Sequence, residues 1–316
     1  MLIILWSNNH KKKAMFKKAI IGTLVIGCIV SSCSNDDDSG NVPTESNVTL
    51  NLSGLEDLGS DYLYEGWIIV NEAPVSTGTF SVNSAGELSS TSFMVNTESL
   101  KTAAAFVLTI EPNPDPNPAP SDTKLLKGDF GTGNTATVGL GPVGEGDFSA
   151  SAGGFFLRTP TDEASGTANN GNDQFGVWFG TPGMPPAANL TLPVLDAGWK
   201  YEGWVVADGV PISTGTFTMN NTADDNVGDI NGFSETASNG PQLPGEDFFR
   251  NAPDGVTFPL DVRGKTVVIS VEPFPDNAAA PFLLKPLVGT AGTDTAPTSY
   301  TFELNSASFP SGSVTR

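Results

Sequence analysis

Residues 64–80 read YEGWIIVNEAPVSTGTF and residues 201–217 read YEGWVVADGVPISTGTF, with ten of seventeen positions identical and no gap. Three of the changes, Ile68 to Val205, Ile69 to Val206 and Val75 to Ile212, keep a β-branched side chain of similar volume. A shared core tolerates such exchanges. Tyr62–Val70 and Pro74–Val82 are rich in β-branched and aromatic residues, which favours strands. Between the matching runs of the second copy stands Asp208-Gly209, a two-residue hairpin signal, because glycine accepts the positive φ of a type I′ turn. The stretch therefore predicts one β-hairpin used twice.

Further blocks repeat in the same order. Val107–Asp115 (VLTIEPNPD) answers to Val268–Asp276 (VISVEPFPD), and Leu125-Leu126-Lys127 to Leu283-Leu284-Lys285. Phe80 to Glu111 is 31 residues but Phe217 to Glu272 is 55, so the second copy carries 24 extra, mostly polar residues, expected in a surface loop. The runs Gly154–Arg158 and Phe175–Phe179 lie between the copies and fit either one. Pro182–Pro186 reads as a stiff connector, and the alternating prolines 112 to 120 as an extended polyproline-like spacer. No stretch has sustained helical periodicity. The expected fold is all-β: two tandem Ig-like β-sandwich modules, 46–186 and 187–316.

The N-terminus predicts an address. Lys11–Lys13 and Lys17-Lys18 precede the apolar run Ala19–Val30, which is 12 residues long and too short for the roughly 20 that a spanning helix needs. A basic flank with a short apolar core is an export signal. It ends in Val30-Ser31-Ser32-Cys33, which resembles the lipobox of bacterial lipoproteins, with Cys33 the lipidated residue; Val25–Cys28 is a second, poorer match. Residues 1–32 are thus an expected signal peptide, with Met15 an alternative start. Residues 33–45, beginning Cys-Ser-Asn-Asp-Asp-Asp, resemble the acidic tether of surface-exposed Bacteroidota lipoproteins. The expected location is the outer membrane, facing outward, with the lipid as membrane anchor.

Charge and side-chain inventory exclude several functions. The whole chain carries −20. Five of its fifteen basic residues and none of its thirty-five acidic ones lie in 1–32, so the chain from Cys33 carries −25. Such a surface repels phosphate backbones, and no nucleic-acid partner is expected. The single histidine, His10, lies in the signal, and Cys33 is the only cysteine after it. Histidine-dependent triads and free-thiol catalysis are thereby excluded from the mature chain.

Tyr64, Trp67, Pro74–Phe80 and Glu111-Pro112, and again Tyr201, Trp204, Pro211–Phe217 and Glu272-Pro273, form a pattern that resembles the extracytoplasmic C-terminal domain of anti-sigma-K factors. The resemblance covers each copy. Members of the full type bind a sigma factor through a cytoplasmic domain joined by a transmembrane helix. Neither has a counterpart here, so no direct sigma-factor contact is expected.

Two readings stand beside each candidate residue. Tyr64, Trp67, Tyr201 and Trp204 are core aromatics or a sugar-stacking platform. Glu111 and Glu272, with Glu65 and Glu202, are strand-end carboxylates satisfied by backbone N–H groups or an acid pair of the glycosidase kind. Asp224, Asp225 and Asp229 lie in an oxygen-rich run that suits calcium, although Ile230 stands where an EF-hand requires glycine. No catalytic residue, metal or organic cofactor is assigned. The expectation is a non-catalytic module that binds an envelope protein, with envelope or extracellular glycan as the alternative partner.

Overall fold

The computed structural model describes residues 43–163, 170–229, 232–275 and 278–316. The expected signal peptide, Cys33 and all but the last three residues of the expected tether lie outside them. Among the described residues no helix is long and apolar enough to cross a membrane.

The chain is all-β. Copy one runs β1 (Glu45–Ser53), β2 (Tyr62–Val70), β3 (Ala73–Phe80), β4 (Ser92–Asn96), the short helix α1 (Thr97–Thr102), β5 (Ala105–Pro112), β6 (Lys124–Asp129) and β7 (Thr135–Val138). Next come β8 (Gly154–Phe156) and β9 (Gly176–Phe179). Copy two follows with β10 (Trp199–Ala207), β11 (Val210–Phe217), β12 (Gly245–Asp247), β13 (Thr266–Pro273), β14 (Leu287–Thr290), β15 (Tyr300–Thr301), β16 (Glu303–Leu304) and β17 (Ser311–Thr315).

The quoted stretch forms the hairpins β2-β3 and β10-β11, both antiparallel. Their turns are Asn71-Glu72 (φ 49° and 67°) and Asp208-Gly209 (φ 52° and 87°), so both central residues are left-handed, as a type I′ turn demands. Each hairpin has the same bulge, between Gly66 and Trp67 and between Gly203 and Trp204. The extra residue is Thr77 or Thr214, buried, with its hydroxyl 2.5 or 2.3 Å from where a Cβ on Gly66 or Gly203 would stand. Gly78 and Gly215 complete the bulge at φ 119° and 109°. Phe80 stacks on Tyr64 at 5.5 Å, and Phe217 on Tyr201 at 5.6 Å. The recurrence of Glu-Gly-Trp opposite Ser-Thr-Gly-Thr-Phe is thus the requirement of a bulged hairpin with an aromatic lock.

Each hairpin sits in a sheet, β3-β2-β5-β6 in copy one and β11-β10-β13-β14-β16 in copy two. Each sheet is covered by a second: β4-β1-β17-β7 over the first and β12-β9-β8-β15 over the other. The Phe80 and Phe93 rings, 6.1 Å apart, bridge the first sandwich, and Phe179 and Phe217, 6.4 Å apart, the second. One continuous apolar core runs through both.

Strand pairing crosses residue 186 in both directions. β8 and β9 join the second sandwich, whereas the C-terminal β17 lies between β1 and β7 in the first. The division at 186/187 expected from Pro182–Pro186 is therefore not the one the sheets make. That stretch closes a turn inside the second sandwich, where Thr181 and Ala187 exchange backbone hydrogen bonds of 2.8 and 3.0 Å. The 24 extra residues of copy two also do more than loop outward. They lead into β12, an edge strand, and place Asp224 in the interior. The proline-rich run of copy one is bent by two side-chain turns, Asn117 N–H to Asp115 at 2.8 Å and Ala119 N–H to Asn117 at 3.2 Å, rather than extended.

Candidate functional site: the cleft between the copies

The last strand of each repeated block ends in Glu-Pro, and both ends are built alike. In copy one the Trp67 indole N–H donates to Thr109 Oγ1 (2.9 Å), the Thr109 hydroxyl donates to Glu111, and Glu111 also accepts the Ser121 N–H at 2.9 Å. In copy two Trp204 donates to Ser270 Oγ (2.7 Å), Ser270 to Glu272, and Glu272 accepts the Phe282 N–H at 3.0 Å. Ser76 and Ser213 donate to Glu65 and Glu202. Each carboxylate thus pins the loop that returns after its strand. Burial pushes the Glu65 carboxyl above the usual range, opposed by the Ser76 hydrogen bond and helped by the nearby Glu111 charge.

These contacts decide the sequence candidates. Tyr64, Trp67, Tyr201 and Trp204 are 0–3% exposed and belong to the core, so they are not a stacking platform. The Tyr64 and Tyr201 hydroxyls donate to the Glu56 and Pro193 carbonyls at 3.1 and 2.7 Å, which closes the polar end of each ring. Glu111 and Glu272 are buried, and Glu272 also lines the cleft between the copies.

The three calcium candidates diverge. Asp224 is buried and accepts the Asn226 and Gly245 N–H groups at 3.0 and 2.8 Å. Asp225 pairs with Lys200 Nζ at 2.5 Å, and Asp229 is exposed. Among the described residues no three acidic side chains converge on a metal position.

The two Glu-Pro ends face a common cleft of about 730 Å³, within the ~300–1,000 Å³ of small-ligand pockets. Copy one contributes the turn from Glu56 to Tyr62 and the loop Ser121–Thr123; copy two contributes Glu272–Pro275 and Phe282. Gly198 sets their separation. At φ 88° it lies so close to copy one that a Cβ there would stand 2.6 Å from the Asp122 carbonyl carbon. The cleft walls bear Pro112, Pro273 and Pro275 and the rings of Tyr62 and Phe274, which are 38% and 48% exposed. Neither ring was singled out from sequence. The signal was present: Phe274 is the one strongly apolar departure inside the repeated Glu-Pro block, where copy one has Asn113.

A smaller cavity of about 130 Å³ lies in copy two beneath the extra residues, lined by Asp224, Glu246, Thr161 and Trp178. Beside it the fully buried Asp247 accepts the Trp178 indole N–H (2.9 Å) and the Thr161 N–H (2.8 Å). Burial pushes Asp224 up to about 7, Glu246 to about 8 and Asp247 to about 7. Sequence reading passed over Glu246-Asp247, although two adjacent acids before Phe248-Phe249 already signalled carboxylates drawn into an apolar setting.

No protein-family model, no curated protein and no solved structure matches this chain.

Proposed function

We propose that this protein is a lipid-anchored, outward-facing envelope lipoprotein that binds a partner in the cleft between its two copies and carries out no catalysis. The observation that carries the reading is the pair of exposed rings, Tyr62 from copy one and Phe274 from copy two, set in a proline-walled cleft that exists only because the copies are docked. Exposed apolar surface gathered in one concavity favours association. The carboxylates common to both copies already hold hydroxyl and N–H donors, which favours a structural role for them over acid–base work. The likeness of each copy to the outer domain of anti-sigma-K factors, carried by its motifs alone, fits a sensor that responds to something outside the cell. Anchoring through Cys33 belongs to the same proposal.

Cross-linking on intact cells, then affinity purification and mass spectrometry, tests it with the native chain and Phe274→Ser side by side. A recurrent envelope protein lost in the variant is the expected result. The same captured set from both chains contradicts it. The solvent-facing Tyr62 ring also favours a second reading, adhesion to a glycan, which a glycan array on the same two chains distinguishes.

A further inference from the structure

We infer that the partner segment taken by the cleft is basic: a stretch bearing lysine or arginine, with its charged ends among the cleft carboxylates and its stems on the prolines and rings. This rests on the cleft being the binding site. Among the described residues that line it, five are carboxylates, Glu56, Asp57, Asp61, Asp122 and Glu272, and none is basic. Three lysines stand close by. Lys124 reaches Asp122 at 3.9 Å, Lys200 is held by Asp225 at 2.5 Å, and Lys285 donates to the Phe282 carbonyl at 2.6 Å while its charge also interacts with Glu56 and Glu272. Asp57 and Asp61 are exposed and, among the described residues, accept only local hydrogen bonds, from the Gly59 N–H and the Ser60 hydroxyl, both at 2.9 Å. No basic side chain lies within ion-pair distance of either among the described residues. Asp57 and Asp61 thus bring the cleft negative charge that no basic side chain pairs among the described residues.

The rings suit the same ligand. Lys200 already places its ammonium 4.1 Å from the centre of the Phe274 ring, so that ring accepts a cation in this very structure. Long basic side chains lay their methylene stems on apolar walls while the charged head seeks acid, which matches prolines beside carboxylates. The acidity of the whole chain draws such a segment in, and the cleft holds it.

The test is fluorescence anisotropy of labelled tetra-arginine, tetra-glutamate and a neutral tetrasaccharide with the soluble chain from residue 43 onward in its one compact unit. Two triple variants separate the cleft from bulk charge. The first is Asp57→Asn, Asp61→Asn and Asp122→Asn. The second is Glu98→Gln, Asp129→Asn and Asp254→Asn, all exposed and outside the cleft lining. The expected result is saturable tetra-arginine binding, weakened about tenfold or more by the cleft variant and less than about twofold by the control. Equal weakening by both variants would mean diffuse attraction and overturn the inference. Tetrasaccharide binding that Phe274→Ser abolishes, with no tetra-arginine binding, would overturn the basic ligand and leave the cleft as the site. No binding by any probe, together with cell cross-links that map elsewhere, would remove both.

Discussion

The two hairpins match to the level of single hydrogen bonds, whereas the sheets that cover them are assembled from different parts of the chain. Copy one is closed by a strand from the far C-terminus, and copy two by strands from the segment between the copies and from its own extra residues. The bulge, the aromatic lock and the Trp–hydroxyl–Glu chain depend on residues near one another within the hairpin and its neighbouring strand, so duplication preserved them as a set. A covering sheet only needs apolar residues on its inner face, which many strands supply. Divergence has therefore collected at the periphery, in the cleft and in the acid cluster of copy two.

Removing the last strand is the severest way to break this comparison. β17 pairs five residues with β1 and four with β7, and Val314 is fully buried. Arg316 adds contacts to the Ala103 carbonyl and the Phe130 ring. A chain ending at Pro310 is expected to lose amide protection throughout the first sandwich, although the deleted residues follow copy two in sequence. Hydrogen exchange with mass spectrometry reads this directly. Unchanged protection in β1 and β7 would show that β17 is an accessory edge.

The next largest effect is shared by the copies. Trp67→Ala and Trp204→Ala each empty a core position and strip a donor from the chain that ends on a buried glutamate. Each is expected to cost about 3–5 kcal/mol in chemical denaturation. Costs that differ by more than about 2 kcal/mol would mean that the hairpins, despite identical motifs, are not equally supported by their different covering sheets.

The smallest effect separates the copies by pH. Carboxyl groups raised by burial gather in the second sandwich, at Glu163, Asp173, Asp224, Glu246 and Asp247, against Glu65 in the first. Their folded-state values lie above the ~4 of an unfolded chain, so the folded form holds the extra protons in between. The stability they add is complete below about pH 4 and is lost as pH rises through the folded values. For Asp224 and Asp247 that is about 7, and for Glu246 about 8. The Tm is therefore expected to fall from pH 5 to pH 8.5. Glu246→Gln is expected to flatten the fall by roughly the ~2–4 °C that 1 kcal/mol moves a domain of this size. An unaltered slope would place the pH dependence elsewhere.

How legible each part was follows from the range of the interactions that fix it. Asp208-Gly209 and the β-branched runs gave the hairpins, because turn geometry and strand alternation are local. The end of β5 gave a strand-end glutamate, and Glu111 does accept a backbone N–H from the return loop. Pro182–Pro186 misled because prolines suit a tight turn as well as a linker, and only the pairing of Thr181 with Ala187 separates the two. Asp224 and Asp225 misled because oxygen-rich composition is silent on direction, and adjacent side chains here serve the interior and Lys200 respectively. The cleft depends on docking of one copy against the other at Gly198, which no window of sequence contains.

The most direct measurement replaces Phe274 with a photo-crosslinking phenylalanine analogue in the full lipidated chain on intact cells. The same analogue goes at Met94, 55% exposed on β4 and away from the cleft. The account predicts a discrete adduct from position 274, carrying a basic segment of an envelope protein, and none from position 94. Adducts of the same kind from both positions, or from 94 alone, would contradict it.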